Sequence, residues 1–141
     1  MTQKNIYFRI ELTARKIRKF GQDILNQHGI NITIEQWLVL KTVSENEGIN
    51  QLKIGELLLK DKPTISRMIR NLLKEGYIIK ETSNHDLRQF VISLSVKGKD
   101  LINNLYPIIE NIRNQGLSTL SSEEQTTLDT LLLKIQDNIK S

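Results

Sequence analysis

The chain has 141 residues, a length that fits one domain with a core of its own. Apolar residues at 38% and charged ones at 26% exclude wholesale disorder, the absence of cysteine excludes disulfides and thiol chemistry, and no run is apolar enough to cross a bilayer. The net charge of +4 leans only weakly towards a polyanionic partner, but its placement says more: residues 51–99 carry ten Lys/Arg against five acids, and residues 100–141 carry three against six.

The opening residues lack an apolar signal region with a small-residue cleavage site, so a cytoplasmic location is expected. Ile6, Ile10, Ala14, Ile17, Phe20, Ile24 and Leu25 recur at helical spacing and predict a long first helix ending near Gly29. Thr33 and Gln36 form a capping box for a second helix, which runs through Trp37, Leu40 and Val43 to about Asn46. Asn50 is suited to cap a short third helix over residues 51–59. After a turn at Lys60-Asp61-Lys62, a fourth helix starts at Pro63, where a missing N–H costs nothing, and Gly76 stops it after Glu75. Residues 78–82 and 89–95 alternate as two strands around a polar, basic tip. Ser95 caps a long fifth helix in which Pro107 predicts a kink. Ser121-Ser122-Glu123-Glu124 opens a last helix bearing Leu128, Leu131, Leu132, Ile135 and Ile139.

Helix, tight turn, helix and hairpin in that order make a winged helix-turn-helix. The expected fold class is therefore mainly α with a small β-wing, in one domain over residues 1–141. Within it, a reading unit at about 33–95 is flanked by dimerisation helices at about 5–28 and 96–140. Apolar stripes at residues 6–25, 101–112 and 128–139 exceed what so small a central unit can cover, which predicts a homodimer. The alternative is that these helices pack on their own subunit.

The fourth helix separates its side chains by chemistry. Ile65, Met68, Ile69, Leu72 and Leu73 supply a buried face. On the exposed side, Thr64 and Ser66 place short hydroxyls near the N-terminal end, and Arg67 suits guanine O6 and N7 together. Lys62, Arg70 and Lys74 suit phosphates. At the hairpin tip Arg88 is the candidate for a minor groove, Asp86 holds the loop or pairs with a cation, and Asn84 and His85 are candidates for phosphate contact. Plain turn chemistry also explains Ser-Asn-His-Asp, and Arg67 with Arg70 also fits an ordinary solvated helix face.

At these residues the chain resembles the MarR family of bacterial transcription regulators. The likeness runs through Asp61-Lys62-Pro63-Thr64-Ile65-Ser66-Arg67, then Leu72-Leu73-Lys74-Glu75-Gly76-Tyr77-Ile78, Asp86-Leu87-Arg88 and Leu94-Ser95-Val96-Lys97-Gly98. The resemblance implies a triangular homodimer that binds a pseudo-palindromic operator on double-stranded DNA, usually as a repressor. It also implies base reading by Thr64, Ser66 and Arg67 and release by a small aromatic effector in a cleft between dimerisation and reading regions. Phe20, Ile24, Trp37 and Tyr106 are the candidates to line that cleft, although aromatics at helical spacing are more often core. The chain departs from the family pattern at Arg70, where an acid is common, at Leu87, where a second arginine is common, and at Lys80, which replaces an arginine.

Other functions fit less well. The seven glycines form no phosphate-cradling loop, and two distant histidines with no cysteine offer neither a nucleophile–base pair nor a zinc site, so no enzyme, cofactor or metal is expected. The remaining alternative is a winged-helix module that binds proteins instead of DNA, for which the basic second helix and wing are poorly suited.

Overall fold

Every helix start is set by one short polar side chain. Asn5, Thr33, Asn50, Asp61, Ser95 and Ser121 each accept a hydrogen bond from the backbone N–H three residues on, satisfying a donor that the helix leaves orphaned. The helices they open are α1 (Ile6–Gln27), α2 (Ile34–Glu45), α3 (Gln51–Leu58), α4 (Lys62–Lys74), α5 (Val96–Leu117) and α6 (Ser122–Asn138). Between α4 and α5 lie β1 (Ile78–Thr82) and β2 (Phe90–Leu94). They pair antiparallel with Ile78 opposite Leu94 and Thr82 opposite Phe90. This computed structural model describes residues 5–86 and 88–139; the expectations for residues 1–4, for Leu87 and for the end of the last helix at 140 lie outside them.

The helices fall where the sequence predicts, with small corrections at their ends. α4 begins at Lys62 instead of Pro63, because Asp61 supplies the cap and leaves Pro63 inside the first turn. α3 ends at Leu58, and Leu59 adopts a left-handed conformation (φ 52°, ψ 46°) that turns the chain sharply enough for the Lys60 N–H to reach the Gly55 carbonyl at 2.9 Å. A Cβ on Gly55 would sit 3.2 Å from the Lys60 carbonyl oxygen, so the tight turn draws on the glycine above it. The second strand is one residue shorter at each end than predicted. Pro107 interrupts no element: α5 continues through it, leaving the Asn103 carbonyl without its N–H partner four residues on.

The core gathers where α2, α3, α4, β2 and α5 meet. Leu40, Val43, Ile54, Ile65, Ile69, Leu72, Ile92 and Leu105 are buried there, and Leu25 brings in the C-terminal half of α1. Ile49 adds a bridge to Ile92, with the Ile92 N–H donating to the Ile49 carbonyl at 2.7 Å, so the wing is braced by the segment that precedes α3. The ends of the chain differ. Ile6, Tyr7 and Phe8 on α1 are each more than 60% exposed, and α6 contains no fully buried residue.

Candidate nucleic-acid interface

Burial of Ile65, Ile69 and Leu72 fixes which side of α4 faces outward. Pro63, Arg67, Arg70 and Lys74 recur every three or four residues on the opposite side, all exposed, which places them in one stripe. Among the described residues none of Lys62, Arg67, Arg70 and Lys74 takes part in an ion pair. The neighbouring cations are occupied: Lys60 pairs with Glu35 at 3.1 Å, Lys53 with Glu56 at 3.7 Å, and the Lys97 ammonium donates to the Glu75 carbonyl at 2.6 Å. The stripe is thus a row of uncompensated positive charge on a rigid helix, able to neutralise a row of anions.

The two hydroxyls at the start of α4 are half-buried and held by neighbours. Thr64 donates its N–H to Asp61 Oδ1 at 2.8 Å, and Ser66 Oγ accepts from Gln51 Nε2 at 2.7 Å. Through its hydroxyl first and its N–H second, Thr64 holds the Asp61 carboxyl below the ordinary carboxylate value; slight desolvation opposes this, and Arg67 and Lys60 add to it. Because the folded value is depressed, this contribution to stability is complete above the unfolded carboxylate value, about 3.9, and is lost as pH falls through the lower folded one. Asp61→Asn keeps a capping oxygen but removes the titration. Its melting temperature should therefore fall less steeply with pH below about 4 than that of the unmodified chain, and parallel curves would refute the assignment.

Local hydrogen bonds shape the wing tip. The His85 N–H donates to Ser83 Oγ at 3.2 Å, the Arg88 N–H to Asp86 Oδ1 at 3.0 Å, and the Gln89 N–H to the Asp86 carbonyl at 2.9 Å. Asp86 accordingly does both things expected of it, building the turn and pairing with Arg88 at 3.4 Å. The Arg88 side chain is 91% exposed and free to leave that weak pair. Asn84 and His85 are exposed beside it. Lys80 lies over the Phe90 ring on the wing, 4.6 Å from its centroid.

Two of the four residues expected to line an effector cleft border the same cavity. Trp37 and Tyr106 border a cavity of about 200 Å³ between α2 and α5, with Lys41, Ile102, Ile109, Glu110 and Arg113. Phe20 and Ile24, on α1, are not among its lining residues. Trp37 forms its buried floor, and Tyr106 stands at the rim, donating its hydroxyl to Glu110 at 3.0 Å. That bond, with the Glu110 charge behind it, raises the Tyr106 pKa and keeps the phenol protonated.

Two residues that the sequence did not single out tie the unit together. Glu35, at the start of α2, accepts Arg18 of α1 at 2.9 Å and Lys60 of the α3–α4 turn at 3.1 Å. Gln51 bridges α3 to α4 through Ser66. Neither belongs to a local motif, so the only available signal was a charged or amide side chain at the first turn of a helix.

The family model described as MarR family matches residues 32–90, which run from the start of α2 to the first residue of β2. The uncharacterized HTH-type transcriptional regulator YybA of Bacillus subtilis is 30% identical over 115 residues, covering 79% of this chain and 74% of its own. The HTH-type transcriptional regulator SarZ of Staphylococcus epidermidis is 28% identical over 128 residues, covering 91% of this chain and 84% of its own. Among solved structures, the S. aureus MepR-DNA complex superposes with a TM-score of 0.85 over 97% of this chain and 100% of that one, at 23% identity, a likeness that carries the fold.

Proposed function

The chain belongs to the MarR family, and from that premise we propose that it binds duplex DNA as a homodimer, with α4 in the major groove and the wing tip along the minor groove. It is a transcription regulator and not an enzyme, as its named relatives are. The observation that carries DNA binding is the unpaired stripe of Arg67, Arg70 and Lys74, with Lys62 at the helix start, opposite the buried Ile65, Ile69 and Leu72. That the MepR structure of the same fold is a DNA complex supports it.

In this reading Arg67 takes a base edge, Thr64 and Ser66 lie against neighbouring bases, and Arg88 leaves Asp86 for the minor groove. Lys62, Pro63 and Arg70, with Asn84 and His85 at the tip, face the backbone, and Asp86 positions Arg88. The residues form one domain, 1–141, with dimerisation helices at about 5–28 and 96–140 around a reading unit at about 33–95. The exposed apolar ends of α1 and α6 support the dimer. Pairing would hold the two recognition helices roughly 34 Å apart, one helical repeat of the duplex. We assign a cytoplasmic location and a repressing role, and place an aromatic effector in the cavity beside Trp37 and Tyr106, where Lys41 pairs with Glu45 and Arg113 with Glu110. Its binding would act by shifting the population of dimers with the DNA-competent spacing.

Arg67→Ala should cost about 1–3 kcal/mol of discrimination between the operator and scrambled DNA. Lys62→Ala should instead weaken all duplexes alike and reduce the steepness of the salt dependence by about one. Equilibrium binding to both duplexes at several salt concentrations measures both effects. An Arg67→Ala protein with undiminished preference, or a chain that ignores duplex DNA in dilute buffer, would overturn the reading.

A further inference from the structure

We propose that Gln51 is a positioning residue that sets the hydrogen-bonding sense of Ser66, turning its hydroxyl into a donor and so selecting the base edge that Ser66 reads. The inference rests on the reading above, in which α4 enters the major groove.

Four helical hydroxyls of this protein make a bond that Ser66 lacks. Thr13, Thr42 and Thr126 each donate to the carbonyl four residues back in their own helix, and Ser44 to the one three back. That back-bond is the ordinary resting place of a serine or threonine within a helix. Among the described residues Ser66 makes no such bond; its oxygen instead receives Gln51 Nε2 from across the interhelical gap at 2.7 Å. Gln51 is well placed to hold that position. It is the first residue of α3, behind the Asn50 cap, and it borders both the cleft between α3 and α4 and the cleft between α3 and the wing.

A hydroxyl has one proton and two lone pairs. With one lone pair taken by the Gln51 amide, the proton must point elsewhere, and accepting a bond polarises the O–H into a better donor. A donor in the major groove matches guanine O6 and N7, adenine N7 or thymine O4. It does not match the amino groups of adenine and cytosine, which are themselves donors. Q51E is nearly isosteric but reverses the bond: a carboxylate can only accept, so Ser66 would give its proton to residue 51 and keep only lone pairs for the base. Q51A removes the partner and frees Ser66 to fall back on the Lys62 carbonyl.

The test is selection of preferred duplexes from a random pool by the full chain, S66A, Q51A and Q51E, followed by affinities for the selected sequences. S66A should flatten the preference at one position of each half-site, which identifies the base pair that Ser66 reads. At that same position Q51A should lower discrimination by about 2- to 10-fold, the worth of one neutral hydrogen bond. Q51E should move the preference towards the amino groups of adenine or cytosine. The effect of Q51A should vanish in the S66A background, and the salt dependence of the two uncharged variants, S66A and Q51A, should match the unmodified chain. If S66A flattens a position that both Gln51 variants still read normally, this proposal is overturned and α4 remains the reading helix. If S66A changes no position while Arg67→Ala does, the role of Ser66 falls and the proposal with it. A uniform loss across all positions in Q51A would also overturn it, because that is the signature of a merely structural contact.

Discussion

Leu131→Glu combined with Ile135→Glu should turn the protein into a monomer and lower its affinity for a two-half-site operator by about 10²- to 10⁴-fold, while leaving binding to a single half-site nearly unchanged. The size follows from linkage: once one reading unit is bound, the second binds at the high effective concentration set by the dimer, and that advantage disappears with the interface. The two positions are chosen because neither is fully buried in the protomer. Leu131 is half exposed, α6 has no fully buried residue, and both side chains border an apolar groove of about 520 Å³ formed with Ile6 and Ile10 of α1. Carboxylates there stay hydrated in the monomer but would have to be buried in a dimer, at a cost of several kcal/mol for each unpaired ion. Gel filtration and binding to whole and half operators measure the two halves of the expectation. A double variant that remains dimeric would exclude this face of α6 from the interface.

Gly98→Ala should destabilise the fold by about 3 kcal/mol or more, the upper end of what overpacking costs, with a fall in melting temperature on the order of 10 °C. A Cβ at this position would stand 2.0 Å from the Tyr77 carbonyl oxygen and 3.0 Å from its carbon. The obstruction is backbone, so no side chain can swing away to relieve it. The backbone is also clamped from several directions. The Gly98 N–H donates to Ser95 Oγ at 3.0 Å, that hydroxyl donates to the Gly76 carbonyl at 2.5 Å, and the Ser95 N–H donates to the Tyr77 carbonyl at 3.1 Å. Lys97 closes the junction from outside, with its ammonium 4.7 Å from the Tyr77 ring centroid. Separating these strands would move the whole wing relative to α4, so operator binding should suffer beyond the loss of folded protein. Gly116→Ala is the control: nothing lies within 4 Å of its Cβ position, and in the same helix it should stabilise by about 0.4–1 kcal/mol. Thermal melts of both variants check the sign. A Gly98→Ala protein as stable as the unmodified chain would show that the junction is looser than its contacts imply.

Much of the architecture is readable in the chain because it rests on local rules. A capping side chain and the N–H it accepts are three residues apart, so Thr33, Asn50, Ser95 and Ser121 announce helix starts without knowledge of the fold. The division of α4 into an apolar and a cationic side is likewise a matter of spacing. Asp61 illustrates the limit of such reading: placed in a turn with a proline two residues later, it leaves the helix start uncertain by one position, and only the bond to Thr64 decides it. The cleft residues depend on packing rather than on local rules. Helical spacing puts Phe20, Ile24, Trp37 and Tyr106 on apolar faces, but the packing of α5 against α2 decides that Trp37 and Tyr106 share a cavity which Phe20 and Ile24 do not line.

Sequence alone therefore determined the order of elements, the caps that start them, the basic character of the unit between residues 51 and 99 and the apolar surplus at both ends. Tertiary structure alone decided the joints. Ile49 pairs with Ile92, Gln51 reaches Ser66, Glu35 gathers Arg18 and Lys60, and Gly98 makes room for Tyr77. Each joint links residues from different elements, and its partner depends on how finished helices and strands pack, a geometry that no spacing within one element encodes.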